Sequence, residues 1–128
     1  MKISLVSRAG GVFAAAAMGV VLSAGVAGAA NGSVSVSDNS GYASWLENGD
    51  TLTVCDSKAD GWGVRGYIYR PYSGDPANGT VLIKVSDPSS DGKCEAVSEN
   101  IDESIAISIK VCNYKGSSII YCEHKRLR

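Results

Sequence analysis

Beyond residue 30 the chain alternates apolar and polar residues with a period of two, the pattern of strands that bury one face. Val34 and Val36 alternate with Ser33, Ser35 and Ser37, and Leu52 and Val54 with Thr51, Thr53 and Cys55. Val64 and Ile68 stand against Arg65, Tyr67 and Tyr69, and Val81, Ile83 and Val85 against Thr80, Leu82 and Lys84. The longest run sets Ile105, Ile107, Ile109 and Val111 against Ser104, Ala106, Ser108, Lys110 and Cys112, and a last strand is expected over Ile119 to His124. Turn residues separate the runs: Asn48-Gly49-Asp50, Asp60-Gly61, Asn78-Gly79, Asp91-Gly92 and Lys115-Gly116-Ser117. Pro71, Pro76 and Pro88 fall in or beside loops. No helical spacing persists over ten residues. Six to seven strands with frequent turns predict an all-β fold, a small antiparallel β-sandwich of the immunoglobulin-like or Greek-key kind.

The first thirty residues have another character. Lys2 and Arg8 precede an uncharged Ala-, Gly- and Val-rich run from Gly10 to Ala30 that ends in Ala27, Ala29 and Ala30. A basic start, an apolar segment and an A-x-A-like site predict a cleaved signal peptide over 1–30. The run of about 21 residues would just span a bilayer, but Ala and Gly dominate it and no positive stop follows. Cleavage leaves about 98 residues, one domain's worth. We expect an N-terminal arm or edge strand at 31–47, a sandwich core at 48–124 and a basic tail at 125–128. Removing Lys2 and Arg8 from twelve basic residues leaves ten against thirteen acidic ones, a formal charge of −3. That is no footprint of a nucleic-acid binder. The expected location is extracellular, with no membrane contact after cleavage.

Export changes the meaning of Cys55, Cys94, Cys112 and Cys122, because disulfides persist in oxidising compartments. Four cysteines allow three connectivities, and sequence alone does not choose among them. Local geometry favours one. Cys112 and Cys122 flank a Gly-Ser turn, and a hairpin centred on Ser117 sets them opposite each other on the outer surface. Cys55 and Cys94 then pair by elimination.

Catalytic constellations are absent from the pattern. His124, the only histidine, sits in the charged ending His124-Lys125-Arg126-Leu127-Arg128, poorly placed for a triad. Zinc would need cysteines two to four residues apart. In Asp56-Ser57-Lys58-Ala59-Asp60-Gly61 a lysine occupies the third position of a would-be calcium loop, so Asp56 and Asp60 read better as Asx turns. A calcium site that also drew on Asp50 is the minor alternative. The thirteen acids are scattered, with no pair marked for glycoside chemistry. No cofactor, no metal and no enzyme activity are expected.

One segment stands out, Trp62-Gly-Val-Arg-Gly-Tyr-Ile-Tyr-Arg-Pro-Tyr72. With Val64 and Ile68 facing the core, Arg65, Tyr67 and Tyr69 share the opposite face, and Trp62, Arg70 and Tyr72 lie at its ends. Tyr, Trp and Arg are enriched at binding hot spots. The simpler alternative is an amphipathic strand whose tyrosines suit a pleated surface. Trp45 is expected in the core.

The stretch Gly49-Asp-Thr-Leu-Thr-Val-Cys55-Asp-Ser-Lys-Ala-Asp-Gly61, with Ile109-Lys-Val-Cys112 and Tyr121-Cys122, resembles a recurrent class of small secreted proteins from Streptomyces and related actinobacteria. The likeness runs from about Asn48 to Glu123 and rests on the "VCD-x-KADG" turn and a two-cysteine hairpin. It implies a β-sandwich with the same cysteine pairing, and it supplies no activity. The Trp-Arg-Tyr triplet of actinobacterial amylase inhibitors is missing. The sequence thus points to a non-enzymatic binding protein acting through Trp62, Arg65, Tyr67, Tyr69, Arg70 and Tyr72. Its partner would be another secreted or cell-surface protein, as adaptor, accessory subunit of a toxin particle or hydrolase inhibitor. The alternative is a polysaccharide, with the protein a cell-wall or carbohydrate-binding module.

Overall fold

The computed structural model describes residues 30–128, so the expected signal segment, but for Ala30, lies outside the described residues. Among the described residues eight strands form: β1 (Gly32–Ser35), β2 (Gly41–Leu46), β3 (Thr51–Asp56), β4 (Gly63–Tyr72), β5 (Asp75–Asp87), β6 (Glu95–Ser98), β7 (Ser108–Lys115) and β8 (Ser118–Arg126). They make two antiparallel four-stranded sheets, β1-β2-β3-β6 and β8-β7-β4-β5. Non-consecutive neighbours, β3 beside β6 and β4 beside β7, make this a Greek-key sandwich. The orders β2-β3-β6 and β8-β7-β4-β5 are those of immunoglobulin-like domains, with β1 added outside.

Alternation builds the core. Trp45 and Ala43 from β2, Leu52 and Val54 from β3, Val64 and Ile68 from β4, and Ile109 and Val111 from β7 are buried between the sheets. The alternating pattern foretold six of the eight strands. It missed β2 because that strand turns Gly41 and Ala43 inward beside Trp45 while Tyr42 and Leu46 stay exposed, inverting the usual contrast. It missed β6 because all four of its residues are exposed on an edge. The hairpin tip between β4 and β5 is Ser73-Gly74, not Asn78-Gly79, and Pro71 and Pro76 lie within strands. Prolines are tolerated there because β5 is an edge strand and the pairing is bulged at Pro71.

The domain also extends beyond 48–124 at both ends. Within residues 31–47, expected as an arm or an edge strand, β1 is an edge strand and β2 an inner one. The tail is no free basic end. Ile107 exchanges backbone hydrogen bonds with Leu127 and Arg128. Arg128 forms an ion pair with the buried Glu47, and its Nε and Nη2 donate to the carbonyls of Ile105 and Asp102, each at 3.0 Å.

Both disulfides form as expected, Cys55–Cys94 and Cys112–Cys122. The first continues the β3–β6 ladder one step past Val54↔Glu95. The second needs a correction to the simple hairpin. The turn pairs Lys115 with Ser118, with Gly116 at φ 59°, the two-residue loop that wants glycine first. That register would set Tyr121 against Cys112. A bulge at Tyr121, with φ 58°, inserts one residue, and pairing resumes at Val111↔Glu123. Cys122 then faces Cys112, with the Cα atoms 4.2 Å apart. Two disulfides are the chemistry of an oxidising, extracellular-type environment. Among the described residues no helix is long and apolar enough to cross a membrane.

Candidate functional site

Register sets the outer face of the β8-β7-β4-β5 sheet. Because Val64 and Ile68 point inward, Arg65, Tyr67 and Tyr69 point outward, and each brings its cross-strand neighbours to the same face. Arg65 lies between Ser86 and Cys112, Tyr67 between Lys84 and Lys110, and Tyr69 beside Ser108, while Lys110 pairs with His124. Arg65 is held rigidly: its Nε donates to Ser86 Oγ at 2.8 Å, and its guanidinium lies 4.0 Å from the centre of the Tyr114 ring.

Beside Tyr67 this face opens into a cavity of about 210 Å³, walled by Tyr67, Tyr69, Val81, Cys112, Ile119 and the 77–79 backbone, with Lys110. The cavity exists because β5 departs from a regular ladder. Ile68 pairs with Ile83 but Tyr69 with Val81, leaving Leu82 as an extra residue. The start of β5 then closes over the outer face and is pinned there. Tyr69 Oη donates to the Pro76 carbonyl at 2.7 Å, and Lys110 Nζ donates to the Ala77 carbonyl at 3.0 Å and to Asn78 Oδ1 at 3.1 Å. Gly79 passes so close to Arg70 that a Cβ would meet its carbonyl oxygen at 2.0 Å.

The six residues singled out by sequence divide in position. Tyr67 is half-buried and lines the cavity, and Arg65 is its neighbour on the same face. Tyr69 is on the expected face but is buried, because residues 76–78 cover it, and burial pushes its phenol pKa up. Arg70 is exposed where β4 approaches its end, and Tyr72 is exposed at the hairpin tip. Trp62 lies elsewhere, half-buried between the 56–61 and 88–91 loops. Sequence reasoning missed Lys110, Val81 and Ile119 as members of this face. Alternation alone puts Lys110 opposite Ile109 and Val111, but only register brings it beside Tyr67.

The Trp62 end is a shallow basin of about 420 Å³ lined by Asp56, Asp60, Asp91, Lys58 and Trp62 among others. Its acids are Asx turns, as expected: Asp56 Oδ1 accepts from the Lys58 amide at 3.1 Å and Asp60 Oδ1 from the Trp62 amide at 3.0 Å. Burial, with the Asp60 and Asp87 carboxylates nearby, holds the Asp56 carboxyl above its usual range, although the Lys58 amide opposes this. Asp50 cannot join them, since it stands before β3 and accepts from the Ile101 amide at 2.9 Å, whereas Asp56 ends that strand. Among the described residues no group of three or more His, Cys, Asp or Glu side chains is arranged to hold a metal ion.

A scan against protein-family models and searches of curated proteins and of solved structures found no match to this chain.

Proposed function

We propose that this is a secreted, non-enzymatic binding protein that recognises another protein through the outer face of the β8-β7-β4-β5 sheet. In this reading one apolar side chain of the partner enters the cavity beside Tyr67. The resemblance to small exported actinobacterial proteins fits an adaptor, an accessory subunit or an inhibitor.

The observation that carries the reading is the state of the cavity's inner polar groups. The Tyr69 hydroxyl and the Lys110 ammonium already serve Pro76, Ala77 and Asn78. The walls left to a ligand are Tyr67, Val81 and Ile119, above the buried Cys112. A sugar ring there would find only the Tyr67 hydroxyl and the third Lys110 N–H, and its other hydroxyls would lack partners, at about 1–3 kcal/mol for each group so stranded. An aliphatic or aromatic side chain loses nothing. Size agrees, since a cavity of about 150 Å³ accommodates benzene and drug-sized sites begin at roughly 300 Å³.

A photo-crosslinking residue placed at Tyr67, with a control at Tyr42 on the opposite sheet, tests the reading in the medium into which the protein is exported. Adducts to one protein from position 67 alone are expected, and Val81→Trp, which fills the cavity, should abolish them. Equal adducts from both faces, or retention on chitin or peptidoglycan that survives Val81→Trp, would overturn it.

A further inference from the structure

The charges around the cavity identify the kind of protein that fits it, an inference that rests on the reading just given. The outward positions of the four strands carry the cations Arg65, Lys84, Lys110 and Arg126 and the imidazole of His124. No Asp or Glu shares these positions. Glu123 pairs with Val111 and Asp87 with Val64, both in inward register. Asp75, at the hairpin tip, is occupied by the Asn78 amide at 3.1 Å. The acids of the domain lie instead in turns and at strand ends, among them Asp38, Asp50, Asp60, Asp91, Asp102 and Glu103. A chain with thirteen acidic and twelve basic residues has therefore sorted its signs, and this sheet face received the positive one.

Two of the five groups are committed internally. Arg65 is bound to Ser86 and stacked on Tyr114, and Lys110 holds the Ala77 carbonyl and Asn78 Oδ1. Lys84, His124 and Arg126 are exposed and form no ion pair with an Asp or Glu side chain among the described residues, although Arg126 Nε donates to the Arg128 oxygen at 2.7 Å. They stand on both sides of the cavity, Lys84 on β5 and His124 and Arg126 on β8. We infer that the partner presents an acidic segment, one apolar side chain flanked by Asp or Glu. The anchor fills the cavity and the flanking carboxylates reach Lys84, His124 and Arg126. Complementary charge of this kind sets orientation and association rate more than raw affinity. An extended polyanion fits less well, because apolar Tyr67, Val81 and Ile119 interrupt the basic positions.

Selection of random peptides displayed on phage against the full disulfide-bonded chain tests this directly. The enriched peptides should share an apolar or aromatic residue flanked by Asp or Glu. Measured by fluorescence anisotropy, they should lose binding with Val81→Trp and weaken about three- to ten-fold with Lys84→Glu or His124→Glu. Raising salt from about 0.05 to about 0.5 M should weaken them similarly. An apolar consensus with neutral or basic flanks, still lost with Val81→Trp, would overturn the acidic partner and leave the protein-binding reading standing. Enrichment indifferent to Val81→Trp, or no enrichment, would sink both. Heparin binding that exceeds peptide binding and survives Val81→Trp would replace the acidic segment with a polyanion.

Discussion

Arg128→Ala should cost this small domain more than a surface substitution does, and the structure gives the size. The Glu47–Arg128 pair is largely out of water, with side-chain exposures of 7% and 17%. Glu47 also accepts from Trp45 Nε1 at 2.9 Å, tying the pair to the largest core side chain. Removing one partner of a buried pair costs about 3–5 kcal/mol, because the other charge stays behind. Arg128 is partly exposed, which lowers the figure to about 2–3 kcal/mol. At about 4–8 °C per kcal/mol for a domain this size, Tm should fall by roughly 10–20 °C. Glu47→Gln keeps an acceptor for Trp45 and leaves Arg128 its two carbonyl partners, so it should cost only about 1 kcal/mol. The double variant should then be less damaged than the two costs added together, with a coupling of about 1–2 kcal/mol. Urea unfolding of the four proteins measures the cycle. A cost for Arg128→Ala below about 0.5 kcal/mol, or zero coupling, would make the ending a solvated tail after all.

Loop lengths separate the two disulfides: Cys55–Cys94 closes 39 residues and Cys112–Cys122 closes 10, so replacing each pair by serine should cost about 4 and about 3 kcal/mol; the reverse order in urea unfolding would count against the chain-entropy account. Gly79→Ala puts a methyl group onto the Arg70 carbonyl and should cost about 1–3 kcal/mol while loosening the cavity wall; an unchanged Tm with unchanged peptide binding would refute the close approach. The Asp56 carboxyl is held above its usual range, so its ionisation weakens the fold at neutral pH, and this penalty disappears as pH falls through the raised value and below the ordinary one. Asp56→Asn should therefore raise Tm near pH 7 and leave it unchanged near pH 3, as thermal melts across that window would show; an equal gain at both would assign the effect to something other than charge.

Legibility followed the physics of each element. Where one face is buried and the other is wet, as in β3, β4, β5 and β7, side chains alternate and the strand is readable. Where the inward residues are small and the outward ones large, as in β2, or where both faces are wet, as in β6, alternation carries no signal. The cysteine pairing was readable because a hairpin leaves few choices, yet the bulge that completes it was not. Nothing local to Tyr121 announces a left-handed residue, since its requirement comes from the sulfur of Cys112, far back along the hairpin, which Cys122 must face. The ending read as solvated because Lys125, Arg126 and Arg128 are charged. Its docking depends on a carboxylate buried at Glu47, 81 residues away.

The candidate face divides along the same line. Alternation correctly assigned Arg65, Tyr67 and Tyr69 to one side of the sheet, because that requires only the pleat. It had no means of showing that Tyr69 would be covered, for the cover is made by backbone. One extra residue at Leu82, a glycine that lets β5 pass close to Arg70, and two hydrogen-bonding pins fold residues 76–79 over the sheet. A cavity built this way separates construction from recognition. Tyr69, Lys110 and Gly79 hold its shape, while Val81, Ile119 and the face of Tyr67 meet whatever enters. Substitutions in the second group should change the ligand without changing the fold, and substitutions in the first should change both. That difference is what distinguishes a binding cavity from a gap left by imperfect packing.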